Sequence, residues 1–336
     1  MIKKGVTFLI LLCSIYSFSQ VGGQHAYQFL DLVNSPRQAA LGGKNITIFD
    51  FDPTSGTYNP ASINAEMHNQ LSLNYVSYIG DVKYGTANYA RTIDSLTFHT
   101  GVTYVNYGTF DGYDEFGNAT SEFTGSEVAV SLGTAYNIPN SDFYVGANIK
   151  VISSKLEQYS SLGGAIDFGV NYLNENSNLI ISLVARNAGM QFTSYDETKE
   201  SLPFEVIAGI SKKLENVPVR WHLTLENLQQ WDLAFRNTAR DEETLDGNVI
   251  ADDPGFFNNV LRHTILGAEI FPDGGFNIRV GYSFRRSEEL RIIDQRSFAG
   301  LSGGFSIKFN KLRFSYSYAR YNAAASSSFF GLNVDL

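Results

Sequence analysis

Cysteine is nearly absent, since the only one in 336 residues is Cys13. It lies in an opening stretch of Met1, Ile2, Lys3 and Lys4, an apolar run from Val6 to Tyr16, and then Ser17-Phe18-Ser19-Gln20. That order reads as a secretory signal peptide over residues 1–19, with small residues at the positions a signal peptidase inspects. A lipoprotein anchor at Cys13 does not fit, because Leu12 precedes it where a small residue is needed. Cleavage near Ser19 would remove the one thiol and, with it, disulfide and thiol chemistry.

Long apolar runs are also missing. Beyond the opening stretch, no segment reaches 18 consecutive apolar residues, which excludes a spanning helix and leaves strands as the only route into a membrane. Basic residues are scarce: without Lys3 and Lys4 the chain has 23 Lys+Arg against 34 Asp+Glu, a net charge of −11, which argues against a nucleic-acid partner. Histidines stand at 25, 68, 99, 222 and 263, and no two have zinc-ligand spacing. No metal or cofactor is expected from this pattern.

What is abundant is aromatic and small: 25 Phe, 19 Tyr and 30 Gly against 8 Pro. The aromatics and small residues fall into stretches that alternate apolar and polar. Phe276, Ile278, Val280, Tyr282 and Phe284 stand on one face, with Asn277, Arg279, Gly281, Ser283 and Arg285 on the other. The pattern returns at Leu312, Phe314, Tyr316 and Tyr318, and again at Phe330, Leu332, Val334 and Leu336. Repeats of about ten residues with a period of two are the signature of a transmembrane β-barrel, lipid outside and water or plug inside.

Fourteen strands are expected: 71–79, 84–92, 96–107, 123–136, 141–153, 162–173, 178–187, 203–213, 218–228, 263–271, 276–286, 298–309, 312–320 and 328–336. Their connections alternate in length. The even-numbered ones, from Ile93–Ser95 to Asn310-Lys311, are compact turns, as expected at the periplasmic end of an outer-membrane barrel. The odd-numbered ones include Gly108–Glu122, Ala188–Leu202 and Gln229–Arg262, and only Gly80–Lys83 is as short as a periplasmic turn. A soluble β-sandwich, the alternative from composition, gives no cause for that rhythm. The expected organisation is a signal peptide over 1–19, a hatch over 20–70 and an all-β, 14-stranded antiparallel barrel over 71–336, located in the outer membrane.

The hatch segment lacks alternation. It contains Ser35-Pro36-Arg37-Gln38-Ala39-Ala40-Leu41-Gly42-Gly43, which reads as one short helix ended by glycines. Asn59-Pro60-Ala61 reads as a turn leading from hatch to barrel, because proline restricts itself and the residue before it. The glycines of Ser161–Gly169 mark either a kink or a place where the hatch backbone runs close to the wall.

Three groups of residues could carry chemistry. His222 shares the expected lumen face with Arg220, Thr224 and Glu226; this is read as a hydrated lumen network, with a Ser-His hydrolase as the alternative. Asp50 and Asp52, and the loop carboxylates around Asp241, could attract calcium, but they lack EF-hand spacing and read as solvated charge. The loop Gln229–Arg262 mixes acidic residues with Trp231, Phe235, Phe256 and Phe257, which suits a protein interface or a loop covering the mouth. Trp231, Phe235, Asp241, Phe256 and Phe257 are its candidate partner-binding residues.

Ser35–Gly43 followed by Phe49-Asp50-Phe51-Asp52-Pro53 and Tyr58-Asn59-Pro60-Ala61 resembles the N-terminal signature of FadL-like barrels. Gly23-Gln24, Tyr27-Gln28-Phe29-Leu30, Met67–Tyr75 and Tyr84-Gly85-Thr86-Ala87 resemble the PorV/PorQ family of type IX secretion proteins. The resemblance implies a non-enzymatic outer-membrane barrel of the cell-surface attachment complex. Its implied partners are a PorU-like sortase, a PorV-like barrel and a PorZ-like surface protein, and its implied structural hatch residues are Pro36, Arg37, Leu41, Gly42, Gly43, Asn59, Pro60 and Ala61. The FadL likeness implies the other role, a transporter of hydrophobic small molecules. The final Leu336 departs from the aromatic with which many outer-membrane barrels end.

Overall fold

A computed structural model describes residues 25–80, 82–234, 242–243, 249–250, 255–290, 298–320 and 326–336. The expected signal peptide, Gly23 and Gln24 lie outside the described residues, as do Phe235 and Asp241.

Fourteen antiparallel strands close into one barrel in which every strand pairs with its neighbours in sequence and the last pairs with the first. They are β1 Gln70–Ser77, β2 Lys83–Ile93, β3 Leu96–Phe110, β4 Phe123–Asn137, β5 Phe143–Leu156, β6 Tyr159–Asn174 and β7 Leu179–Thr193. The remainder are β8 Glu205–Lys213, β9 Val219–Leu225, β10 Thr264–Ile270, β11 Phe276–Ser283, β12 Leu301–Phe309, β13 Leu312–Arg320 and β14 Ser326–Asp335. Closure leaves no edge strand with unpaired backbone groups, which is what hydrocarbon demands.

Period-two alternation decides which side chains meet lipid. On β6, Ser161, Gly163, Ala165, Asp167, Gly169 and Asn171 are turned inward and buried or nearly so, whereas Leu162, Ile166, Phe168 and Val170 are exposed outside. Across β12, β13, β14 and β1 the outer face carries Phe305, Tyr316, Phe330 and Tyr75 in direct cross-strand register, a segment of aromatic belt. The outward position Gly164 lies under the Phe192 ring of β7, where a Cβ would come within 2.7 Å of it.

The wall is uneven. Strands β3 to β7 have 14 to 16 residues, while β8 to β13 have 7 to 9. Three expectations are corrected here. The strand expected over 276–286 stops at Ser283, whose side chain caps a helix at Phe284–Glu289 through the Arg286 amide. The strand expected over 218–228 stops at Leu225, where the backbone turns toward the loop. The fifth connection is the two-residue turn Glu157-Gln158, so a second outward connection is as short as a periplasmic turn. Glu157 takes φ +57°, a left-handed turn conformation without the glycine or asparagine that usually announces one.

The N-terminal segment fills the barrel. Its described part starts at the end that carries the long loops, where His25 forms a β-bridge with Ser201 of the β7–β8 loop, and runs to Asn69 at the other end, where Leu336 N–H donates to its carbonyl. Instead of one helix it holds two, α1 Pro36–Ala40 and α2 Ser55–Tyr58, with 3-10 turns at Gln28–Asp31, Pro60–Ser62 and Ala65–Met67. In its outer half Ala26, Tyr27, Phe29 and Leu30 pack on Val105, Ala129, Ile152 and Phe329 of the wall.

Candidate functional site

The plug is built from local motifs before it meets the wall. Ser35 caps α1 by accepting from the Gln38 amide, with Pro36 at the first helical position. The helix ends as a Schellman motif: Gly43 N–H donates to the Gln38 carbonyl and Gly42 N–H to that of Ala39, with Gly42 at φ +98°. Asn59 accepts from the Ala61 amide and donates to the Ile46 carbonyl and to Asn171 of β6, both at 2.7 Å.

Two opposed areas of wall are shaped to receive this backbone. A Cβ on Gly281 of β11 would lie 2.1 Å from Leu41 C and Gly42 N, and one on Gly146 of β5 would lie 2.4 Å from Pro60 C and O. Pro36, Leu41, Gly42, Asn59, Pro60 and Ala61 are thus brought against the wall. The glycines of β6 are explained by the same approach, because Gly163 lies under the Tyr27 ring and Gly169 against Asn59.

Between these areas runs an ionic network. Arg37 donates Nη1 and Nη2 to the Asp50 carboxylate at 2.9 and 2.7 Å, and Nε and Nη2 to the Glu269 carboxylate of β10 at 3.0 and 3.2 Å. Glu269 is fully buried and also takes Arg279 Nε at 3.0 Å and Arg220 Nη1 at 3.3 Å. A second node pairs Lys44 Nζ with Glu205 at 2.6 Å and Asp31 at 3.1 Å, with Arg186 Nη1 3.6 Å from Glu205. Burial alone would raise the Asp50 carboxyl, but Arg37 overrides it and holds Asp50 below the usual carboxylate range. Burial works against the Lys44 charge, and Asp31 and Glu205 more than offset it, placing Lys44 above the usual lysine range. Tyr58, buried and hydrogen-bonded to Asn34 at 2.6 Å, is pushed up to about 12 by that burial.

One cavity between the plug and the wall, at Lys150 and Arg186, measures about 20 Å³, room for roughly one water, against roughly 300 to 1,000 Å³ for a small-molecule site. His222 is part of the packed network: Thr47 Oγ1 is 3.0 Å from its Nδ1 and Glu269 Oε2 is 3.4 Å from its Nε2. Its cross-strand neighbour Ser211 donates to the Thr47 carbonyl instead, so no Ser-His pair is formed there. Among the described residues no group of three His, Cys, Asp or Glu is placed to hold a metal ion.

The outer mouth differs above the short side of the barrel. Helix α3, Phe256–His263, runs directly into β10, and α4, Phe284–Glu289, directly follows β11. The amphipathicity of α3 is inverted. Asn259, Arg262 and His263 are buried against the loop, whereas Phe256, Phe257 and Leu261 are 65%, 80% and 45% exposed. The buried side is satisfied: Asn259 accepts from Ala234 N–H and donates to Asp232, and His263 engages the Glu226 and Trp231 carbonyls. Trp231 packs on Phe256 and His263 with ring centroids 5.3 Å away in each case. The sequence showed the aromatics of this loop but not that a helix would turn them out.

The chain matches no protein-family model and no curated protein sequence. Solved structures do resemble it. The Pseudomonas putida toluene transporter TodX superposes with a TM-score of 0.53 at 12% identity, covering 90% of this chain and 97% of TodX. The Ralstonia pickettii toluene transporter TbuX gives 0.51 at 13% identity, covering 91% and 97%. At such identities the likeness is one of fold alone: a closed 14-stranded antiparallel barrel.

Proposed function

We propose that this barrel is a closed membrane anchor and docking surface of the type IX secretion attachment complex. The observation that carries the reading is the polar plug, latched to opposite walls through Arg37–Glu269 on one side and Asn59–Asn171 on the other. A barrel latched in this way works through its ends. The outer end presents Trp231, Phe256 and Phe257, and large exposed aromatics at a rim with satisfied polar groups beneath them suit a protein partner.

The secretion assignment is supported by the PorV/PorQ-like residues, of which Tyr27–Leu30 pack inside the barrel and Met67–Tyr75 lead the plug into β1. The partners are a PorZ-like surface protein, with a PorU-like sortase and a PorV-like barrel in the same assembly. Deleting residues 232–258 while the barrel remains folded should release the PorZ-like protein. Unchanged co-purification would sink the docking role.

A second reading, transport of hydrophobic small molecules, is favoured by the fold shared with two structures described as toluene transporters. In that case the plug must move to open a path. Uptake of labelled toluene or fatty acid by vesicles holding the barrel, abolished by a disulfide that pins plug to wall, would favour it over docking.

A further inference from the structure

The outward face of the barrel is interrupted by a polar row near its outer end. Lys83, Asn106, Ser126 and Lys155 stand in direct cross-strand register on β2, β3, β4 and β5. Their chain neighbours Tyr84, Val105, Glu127 and Ser154 are buried in the lumen, so alternation turns all four outward. Two rows nearer the membrane centre the same strands carry Ala87, Val102, Val130 and Val151.

A bulge opens space beside this row. The register of β3 and β4 shifts between Asn106 and Thr109, leaving Tyr107 and Gly108 opposite Gly125 alone. Tyr107 turns in to bond Glu127, and the two glycines add no side chain. The result is a groove of about 460 Å³ lined by Lys83, Tyr104, Asn106, Thr109, Thr124 and Ser126.

Charged side chains on a lipid-facing wall are tolerated only near an interface. Lys83 opens β2 and Lys155 is the next-to-last residue of β5, both at the end that carries the long loops. The row contains no carboxylate, and among the described residues neither lysine has an ion-pair partner. In a chain with net charge −9, a row that holds two lysines and no carboxylate therefore faces the headgroup layer. Three strand spacings separate the two lysines by about 14 Å at Cα, a span that suits a headgroup carrying two phosphates.

We propose that this groove binds the phosphorylated headgroup of an outer-leaflet glycolipid. Lys83 in the groove and Lys155 beside it, across from Ser126 at the end of the row, take its phosphates, and Asn106, Thr109, Thr124 and Ser126 meet its hydroxyls. The inference rests on the barrel's orientation and is independent of the docking role.

The test uses the full chain in phosphatidylcholine nanodiscs, with native mass spectrometry reading retention of a bis-phosphorylated disaccharide lipid. The wild type should prefer that lipid to phosphatidylcholine by at least tenfold. Lys83→Gln/Lys155→Gln should lose the preference, while Lys308→Gln/Lys311→Gln, the same charge change at the opposite end, should keep it. Both lysines are exposed, so folding should be unchanged, as heat-modifiable gel mobility will show; each single variant should give an intermediate loss. An equal loss in the control pair would reveal general charge attraction and overturn the site. Displacement of the lipid by micromolar inorganic phosphate would reveal a free-anion site and overturn the lipid assignment.

Discussion

Arg37 and Glu269, 232 positions apart, share two hydrogen bonds of 3.0 and 3.2 Å and so join the first helix of the plug to the tenth wall strand. Arg37 stands in the hatch stretch Ser35–Gly43, whereas Glu269 belongs to no motif that the sequence singles out. Together they make the lumen an ionic lattice in which each charge depends on the others for its place.

Removing one member should be costly. Arg37→Met leaves Asp50 and Glu269 to Arg220 and Arg279 and should destabilise the plug by about 3 to 5 kcal/mol, the range for breaking a buried pair. Hydrogen exchange of residues 36–62 should rise while that of the strands does not. Exchange rising equally in plug and wall would contradict a latch that holds the plug alone.

Wall glycines should differ sharply in tolerance. Gly281→Val places atoms within about 2 Å of plug backbone and should displace it at a cost of at least about 1 to 3 kcal/mol, the usual range for overpacking. Bilayer conductance should appear in a barrel that still runs as folded. Gly303→Ala, whose nearest neighbour is the Arg279 carbonyl at 3.6 Å, should leave conductance at zero.

Alkali should loosen the plug. Tyr58 titrates at about 12 folded against 10.0 free, so its neutral form is favoured in the fold; its contribution is complete below pH 10 and is lost as pH rises to about 12. Lys44 is raised as well, and its contribution fades in the same direction. Asp50 is lowered, so its contribution is present above about pH 4 and fades in acid. Protease sensitivity of the plug should be least between these limits. A Tyr58→Phe barrel that loosened at the same alkaline pH would remove Tyr58 from the account.

The outer aromatics should be dispensable for folding. Phe256→Ser/Phe257→Ser changes side chains 65% and 80% exposed and should shift stability by less than about 0.5 kcal/mol per site. Recovery of the surface partner should fall severalfold. Asn259→Ala, on the buried side of the same helix, should instead lower the loop's protection from protease.

Strand number, strand order and the lipid face were legible because one residue in two faces hydrocarbon, and that requirement imprints a period on every strand. The ends of strands were less legible. The Glu157-Gln158 turn carries no glycine, asparagine or proline, and Ser283 ends β11 by capping a helix that alternation had concealed. Ser35, the paired glycines and Asn59-Pro60 announced the plug's local turns, since capping and proline geometry depend only on neighbours in the chain.

The order of residues determined that this chain forms a closed cylinder with a capped segment ahead of it. Only the tertiary structure decided that Arg37 reaches Glu269 while Lys44 reaches Glu205, and that α3 turns its phenylalanines outward. Periodicity specifies which side of a strand faces inward, but which inward-facing charges meet is settled by packing, where burial forces every ion to find a partner wherever one stands.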